Sequence, residues 1–160
     1  ALAACTAAGM RSARRLARRR DALAALCQAM RALFDEALGC VRPLLGASRA
    51  LGRGDPLLAA FAERLSGGAD AIGAWKAALA QESARGGYAA WLEEEEKTLS
   101  RRLVEALAAG TRTSALARGE RALTGLEKLR AEAEETCAAK SRVYRTLGVL
   151  MGAGACILLL

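Results

Sequence analysis

The chain has 160 residues and a net charge of +7, and 53% of its residues are hydrophobic while only 4% are aromatic. Ala, Leu, Arg and Glu are abundant, and these strong helix formers leave few segments that could form a strand. The composition therefore predicts an all-α protein with one central domain, and the absence of histidine excludes catalytic sites that use this residue.

The first predicted element is one long helix over residues 1–38, which ends at Gly39. Apolar residues recur along it at steps of three, four and seven, as on one face of a helix. This predicted core face consists of Leu16, Leu23, Leu26, Met30, Leu33 and Ala37.

Three shorter helices are predicted next. Pro43 can open a short helix over residues 43–51, and Asp55 is a predicted N-cap with Pro56 at the first helical position of a helix through Leu65. The break "SGG" precedes a helix over residues 70–82, whose predicted core residues are Ile72, Trp75, Ala78 and Leu79.

Two helices complete the prediction, one over residues 88–107 and one from Ala115 to the end of the chain. Between them, Gly110 and the capping residues 111–114 form a break. The predicted core face of the last helix consists of Leu123, Leu126, Leu129, Ala133 and Cys137. About six helices with short links indicate a bundle, in which the two long end helices could pair antiparallel.

Five cysteines are spread along the chain, and no two of them form a CxxC pair. Zinc sites use clustered cysteine and histidine, and disulfide frameworks use an even number of cysteines. We therefore expect no metal, no cofactor and no disulfide, with the cysteines acting as small buried hydrophobic residues in a reducing compartment.

Both ends of the chain are apolar, in residues 1–10 and in residues 147–160. At about 1.5 Å per residue, the stretch after Arg145 covers roughly 22 Å of a bilayer core about 30 Å thick. We expect both segments to embed in or cross a membrane, with residues 11–146 forming the bundle between them. The alternative for the second segment is a buried core helix. Because the chain lacks an initiating Met, we also expect residues upstream of the first segment.

Basic residues flank both apolar segments on the side of the bundle, which by the positive-inside rule predicts a cytoplasmic bundle. The chain has 24 basic and 17 acidic residues, and six of the basic ones are arginines within residues 11–20. The other 18 basic residues nearly balance the acidic ones. Gly148 and Gly152 form a GxxxG pattern that permits close helix packing in lipid. The predicted contacts with anionic lipid are Arg11, Arg14, Arg15, Arg18, Arg19, Arg20, Lys140, Arg142, Tyr144 and Arg145.

Three short segments resemble one known family. "YRTLGVLMG", from Tyr144, is similar to the C-terminal signature of the stage III sporulation protein AB family of spore-forming Firmicutes. "EALGCVRPL" keeps the family's spacing from a glutamate, here Glu36, to Pro43 and Leu44, and "AWKAAL" is similar to a family helix that carries a tryptophan.

The resemblance implies a fold similar to the cytoplasmic six-helix domain of the type II secretion platform protein F. It also implies a place in the channel apparatus that links mother cell and forespore, in the mother-cell membrane beside the other channel membrane proteins. The implied partner is a secretion-type ATPase similar to stage III sporulation protein AA. The implied role is a non-enzymatic adaptor or scaffold.

The residues give no sign of catalysis, since the chain lacks a P-loop as well as histidine. Consecutive glutamates, as in "WLEEEEK", fan around a helix and do not converge as catalytic pairs do. We expect this run to form a solvated face or an acidic contact with a basic ATPase surface. The possible partner contacts are Glu36, Glu93, Glu94, Glu95 and Glu96.

The arginine cluster leaves two alternatives to the lipid contact. It could bind nucleic acid through phosphates, without sequence specificity because no aromatic or base-reading residues accompany it. The chain would then be a soluble helical regulator. It could also dock an acidic protein, since Arg11, Arg14, Arg15 and Arg18 lie on overlapping turns of the predicted helix.

Overall fold

The computed structural model describes the backbone of residues 2–39, 43–109 and 111–158 and the side chains of residues 12–39, 43–109, 111–140 and 143. Within these residues the chain forms six α-helices and no strand. The prediction of an all-α bundle of about six helices is confirmed.

The helices follow one another through short connections. In chain order they are α1 (Leu2–Phe34), α2 (Leu44–Leu51), α3 (Pro56–Ser66), α4 (Ala71–Ala84), α5 (Glu94–Ala109) and α6 (Arg112–Leu158). A π-helical turn (Asp35–Gly39) follows α1, and a 3-10 turn (Tyr88–Trp91) precedes α5.

Side-chain caps fix where the central helices begin. The Asp55 carboxylate accepts hydrogen bonds from the backbone N–H groups of Leu57 and Leu58 at 2.8 and 3.1 Å, with Pro56 at the first position of α3. The Asp70 carboxylate accepts one from the N–H of Gly73 at 2.9 Å at the start of α4. The predicted cap at Asp55 is confirmed, because its oxygen satisfies N–H groups that have no partner inside the helix.

The helix predicted over residues 88–107 is broken in the structure. Leu92 has an extended backbone (φ −81°, ψ 140°) and is buried, so it separates the 3-10 turn from α5. One Glu96 oxygen accepts a hydrogen bond from the N–H of Glu93 at 2.7 Å, which is the reciprocal half of a capping box and starts α5 at Glu94. The last helix begins at Arg112, three residues before the predicted Ala115.

The core lies where α1 packs against the other helices. Four predicted core residues of α1, namely Leu23, Leu26, Met30 and Leu33, are fully buried. At the centre, the rings of Phe61 and Trp75 meet edge to face, with centroids 5.1 Å apart and planes at 88°. The Trp75 Nε1–H donates to Ser100 Oγ at 3.1 Å, so the buried indole has its hydrogen-bond partner.

The two long helices, α1 and α6, pair antiparallel. Phe34 at the end of α1 packs against Gly119 near the start of α6, where an added Cβ would come within 2.2 Å of the Phe34 ring. Further along, Cys27 Sγ donates to the Leu126 carbonyl at 3.5 Å, and Leu16 and Thr136 line the same small cleft. Residues nearer the N-terminus of α1 therefore contact residues nearer the C-terminus of α6, which is the order expected of antiparallel helices.

Candidate functional site

The described arginines of the cluster divide into exposed and engaged side chains. Arg14, Arg15 and Arg18 are exposed on α1, whereas Arg19 and Arg20 are half-buried. Arg20 pairs with its neighbour Asp21 at 2.7 Å. Arg14 and Arg15 form no ion pair with any described residue and are available to an external anion.

Arg19 turns inward and joins α1 to the start of α5. Its Nη2 lies 2.8 Å from Glu96 Oε1, and its Nη1 lies 2.7 Å from Glu93 Oε1. The Glu96 side chain is 0% exposed, so its charge is compensated by Arg19 and by the Glu93 N–H instead of by water. Neither Arg19 nor Glu96 has an open charge to offer to lipid or to a partner protein.

Arg18 contacts the same junction from the adjacent position. Its guanidinium carbon lies 4.9 Å from the centroid of the Trp91 ring, within the range of a cation–π contact. The 3-10 turn thus presents Trp91 to Arg18, while the residues just after it hold Arg19. We name this group of Arg18, Arg19, Trp91, Glu93 and Glu96 the arginine–glutamate junction.

Three acidic residues of the run are exposed at or beside the junction. Glu94 is exposed and pairs with Lys97 at 2.9 Å, and Glu93 and Glu95 are also exposed. Glu36 is half-buried in the π-helical turn at the other end of α1. Of the acidic residues predicted as partner contacts, Glu93, Glu94 and Glu95 are thus exposed at the start of α5, and Glu36 lies apart from them.

Several predicted site residues lie outside the residues whose side chains the structure describes. Lys140 is described and is exposed on α6, and the neighbouring Val143 is exposed as well. No helix among the described residues is both long and apolar enough to cross a membrane. The residues outside this range include the predicted apolar segments 1–10 and 147–160 together with Arg11, Arg142, Tyr144, Arg145, Gly148 and Gly152.

The buried reactive groups serve the fold. Burial raises the pKa of the Cys27 thiol to about 11, which keeps it protonated and unreactive near neutral pH. The Tyr88 hydroxyl donates to the Asp55 carboxylate at 3.1 Å, and burial beside that carboxylate raises the pKa of Tyr88. In the described part of the chain, no three acidic or cysteine side chains converge as metal ligands.

Sequence reasoning missed two features that the structure brings together. The first is the Arg19–Glu96 pair, although helical spacing held a signal for it: Arg19 lies three residues after Leu16 and four before Leu23, on the apolar face. The second is a groove of about 280 Å³ between α5 and α6. We name it the basic groove, and its lining residues are Leu99, Arg102, Glu105, Ala106, Arg118, Arg121 and Ala122.

Comparison with known proteins places the chain in a family. Residues 1–160 match the family described as Stage III sporulation protein AB. A solved structure entitled "Stage III sporulation protein AB" is similar at 26% identity with a TM-score of 0.63, over 76% of this chain and 97% of that one. None of the curated proteins matches. The chain therefore belongs to the stage III sporulation protein AB family and is a sporulation protein.

Proposed function

We propose that the protein is a non-enzymatic, membrane-anchored adaptor that docks a secretion-type ATPase, similar to stage III sporulation protein AA, onto the channel between mother cell and forespore. Its bundle would lie in the mother-cell cytoplasm. The observation that carries the proposal is the antiparallel pairing of α1 and α6, because it directs the two long helices toward one end of the bundle.

Exposed cations from both helices lie toward that end. Leu16 shares its cleft with Thr136, so Arg14 and Arg15 on α1 are close in height to Lys140 on α6. Each basic residue near an anionic bilayer surface contributes about 1 kcal/mol of attraction. A bundle with both of its long helices entering lipid at this end would rest these cations on the headgroups.

The polar interior supports a positional role in place of catalysis. Buried Glu96 is committed to an ion pair, buried Ser100 to Trp75, and half-buried Asp55 to a helix cap. Among the described residues, no buried side-chain nitrogen or oxygen lacks a hydrogen-bond partner. Hydrogen-bond networks with every member satisfied rigidify a fold. A stiff bundle suits a part that transmits displacement from an ATPase to the membrane.

The route of that displacement would pass through the arginine–glutamate junction. The junction ties the first turn of α5 to α1 at Arg19, and α5 also packs along α6. Movement of α5 would therefore reach both long helices. The exposed Glu93 within the junction and the exposed Glu94 and Glu95 beside it remain candidate contacts for a basic ATPase surface.

Vesicle flotation of the full-length chain tests the proposal. The protein would be reconstituted into vesicles with 30% anionic lipid, washed at high salt, and floated with the ATPase in the presence of ATP, ADP or neither. We expect the chain to stay with the vesicles at high salt, because apolar insertion is not screened as electrostatic attraction is. We expect the ATPase to float only with loaded vesicles.

Each part of the result bears on a different element of the proposal. Release of the chain by salt would refute the anchor and favour the soluble regulator that binds nucleic acid. Retention of the chain without recruitment of the ATPase under any nucleotide condition would refute the adaptor role. Empty vesicles and a denatured sample of the chain serve as controls for unspecific flotation.

A further inference from the structure

The two tryptophans of the chain differ in what surrounds them. Trp75 is fully buried, and its indole N–H donates to Ser100. Trp91 is half-buried in the 3-10 turn, and its indole N–H donates to no residue that the structure describes. A half-buried tryptophan with a free N–H suits a boundary between an apolar phase and water, because its ring is largely apolar and its N–H is polar. Trp91 therefore offers a hydrogen-bond donor to an external partner.

Arg18, which contacts Trp91, differs in the same way from the arginines that follow it. Arg19 and Arg20 are held in ion pairs within the protein, whereas Arg18 is exposed and forms no ion pair with any described residue. Its guanidinium carbon lies 4.9 Å from the centroid of the Trp91 ring. A guanidinium that stacks on an aromatic ring keeps the N–H groups at its edge, and these can bind a phosphate through two hydrogen bonds. The contact with Trp91 thus orients an arginine whose charge is open to an external anion.

The surroundings of the Trp91 ring disfavour a nucleic-acid base as the partner. A base binds by stacking on an open aromatic face. Arg18 lies over the Trp91 ring, and the same ring packs against the buried core. The guanidinium therefore occupies the place that a base would take. What the pair offers outward is a set of N–H donors, which match phosphate oxygens.

The position of the pair along α1 points to a phospholipid as the source of that phosphate. Helix α1 is continuous from Leu2 to Phe34, so Arg18 lies about 12 Å along its axis from Met10, the last residue of the first apolar segment. With that segment embedded in the hydrocarbon core, the headgroup layer takes up about 5–8 Å of this distance. The remainder is shorter than the Debye length of about 8 Å and narrower than one helix with its side chains, about 10–12 Å. Headgroups therefore attract Arg18 across a gap that leaves no room for a folded partner.

We infer that Arg18 and Trp91 form a binding site for the phosphate of an anionic phospholipid headgroup, an assignment that rests on the proposed membrane anchor. The edge of the Arg18 guanidinium would hold the phosphate, and the Trp91 N–H would donate to oxygens of the headgroup layer, where tryptophan is enriched in membrane proteins. The unpaired Arg14 and Arg15 on the preceding turn favour an anionic over a neutral lipid. Because Trp91 precedes α5, the site would fix which side of the bundle leans on the bilayer.

Tryptophan fluorescence of the full-length chain in vesicles tests the inference. The wild type and Trp91→Phe would be reconstituted into vesicles that carry a headgroup spin label in both leaflets, made with 30% anionic lipid or with neutral lipid alone. The buried Trp75 is common to both proteins, so the difference between their signals belongs to Trp91. A spin label quenches only a nearby indole, so the loss of this signal measures the approach of Trp91 to the headgroups.

We expect quenching of Trp91 to be at least about twofold stronger in anionic than in neutral vesicles, because anionic headgroups attract the exposed arginines. Arg18→Gln removes the charge and Arg18→Lys keeps it without the planar stack, so both should lose this difference. The matched control is Arg118→Gln, beside the Gly119–Phe34 contact and about 24 Å from Arg18 along α1. It should stay within about 1.5-fold of the wild type, because this distance is about three Debye lengths. Circular dichroism melting checks that each variant folds, and Arg18→Lys carries the test should Arg18→Gln fail to fold.

The outcomes separate the site from the anchor. If the chain stays with salt-washed vesicles but Trp91 is quenched equally in anionic and neutral lipid, the site is overturned and the anchor stands. If salt releases the wild type from the vesicles, the anchor is overturned, and the site with it. A loss in Arg18→Gln that Arg18→Lys restores would overturn the stacked site in favour of unspecific charge. Single-stranded DNA serves as a second probe, and quenching of Trp91 by DNA but not by anionic vesicles would overturn the inference in favour of nucleic acid.

Discussion

Arg19 and Glu96 are 77 positions apart in the chain, yet Arg19 Nη2 lies 2.8 Å from Glu96 Oε1. The carboxylate is fully buried, while the Arg19 side chain is 33% exposed. The pair thus fastens the first long helix to the start of α5 at a place where water reaches only one of the two charges.

Removal of Arg19 should be destabilising because it leaves the Glu96 carboxylate buried without its cation. We expect Arg19→Met to lower the free energy of unfolding by about 2 kcal/mol. This loss is smaller than the loss expected for a fully buried ion pair, because the Arg19 side chain is partly exposed. Urea denaturation followed by circular dichroism measures the change. The control Arg15→Met, at an exposed position with no ion pair among the described residues, should change it by less than about 0.5 kcal/mol. Equal effects of the two substitutions would contradict the account of the pair.

The contact between Gly119 and Phe34 predicts opposite outcomes for two glycine-to-alanine substitutions. Gly119→Ala would place a methyl group 2.2 Å from the Phe34 ring, so we expect a loss of about 1–3 kcal/mol of stability. Gly46→Ala in α2 meets nothing closer than 3.9 Å and should stabilise by about 0.5–1 kcal/mol. Thermal melting compares the two variants. Gly119→Ala should recover stability when Phe34 is also replaced by Leu, and a lack of recovery would contradict the steric explanation.

Cys27 should be protected from alkylation. Its pKa of about 11 leaves about one molecule in a thousand as thiolate at pH 8, and the side chain is buried. We expect iodoacetamide to modify it at least about a hundredfold more slowly than the half-buried Cys137, as measured by mass spectrometry of peptides. Equal rates would contradict the burial of this thiol. Full modification of both cysteines in urea is the control for intrinsic reactivity.

The same thiol predicts a pH dependence of stability. Its pKa is higher in the folded chain than the ordinary value of 9.0, so the unfolded chain releases this proton first as pH rises. The contribution of the protonated Cys27 thiol to the free energy of unfolding is fully present below about pH 9 and is lost as the pH approaches about 11. Cys27→Ala should therefore lose less stability than the wild type between these pH values. Parallel pH profiles of the two proteins would contradict the shift.

Arg14 and Arg15 should strengthen attraction to anionic membranes without supporting the bundle. Both side chains are exposed and have no ion pair among the described residues, so Arg14→Glu/Arg15→Glu should leave the melting temperature nearly unchanged. At about 1 kcal/mol per basic residue, we expect at least about tenfold weaker partitioning onto vesicles with 30% anionic lipid. Vesicles of neutral lipid provide the comparison, and equal loss on both kinds of vesicle would contradict an electrostatic contact.

Local patterns predicted most of the helices because helix formation follows local rules. The spacing of Leu23, Leu26, Met30 and Leu33 marks a face that the structure buries completely. The cap at Asp55 also follows from its position just before Pro56. Each of these features depends on residues within a few positions of one another.

The features that sequence reasoning missed depend on residues far apart in the chain. The four consecutive glutamates indicated a solvated face, but helical spacing places Glu96 four residues before the buried Ser100, so one of the four faces inward. Only the partner across the bundle, Arg19, makes that burial possible. Likewise, α5 and α6 each contribute arginines to the basic groove, and neither helix alone indicates a concave surface.

The pairing of α1 with α6 also sets the order in which the chain can complete its fold during synthesis. Cys27 and Leu126 are 99 residues apart, so α1 leaves the ribosome long before the helix that covers it. Because synthesis adds about 5–20 residues per second, the apolar face around Leu23 and Leu26 lacks this partner for at least about five seconds. During that interval the nascent chain presents the very surface that chaperones bind, and its final packing must follow the release of its last helix.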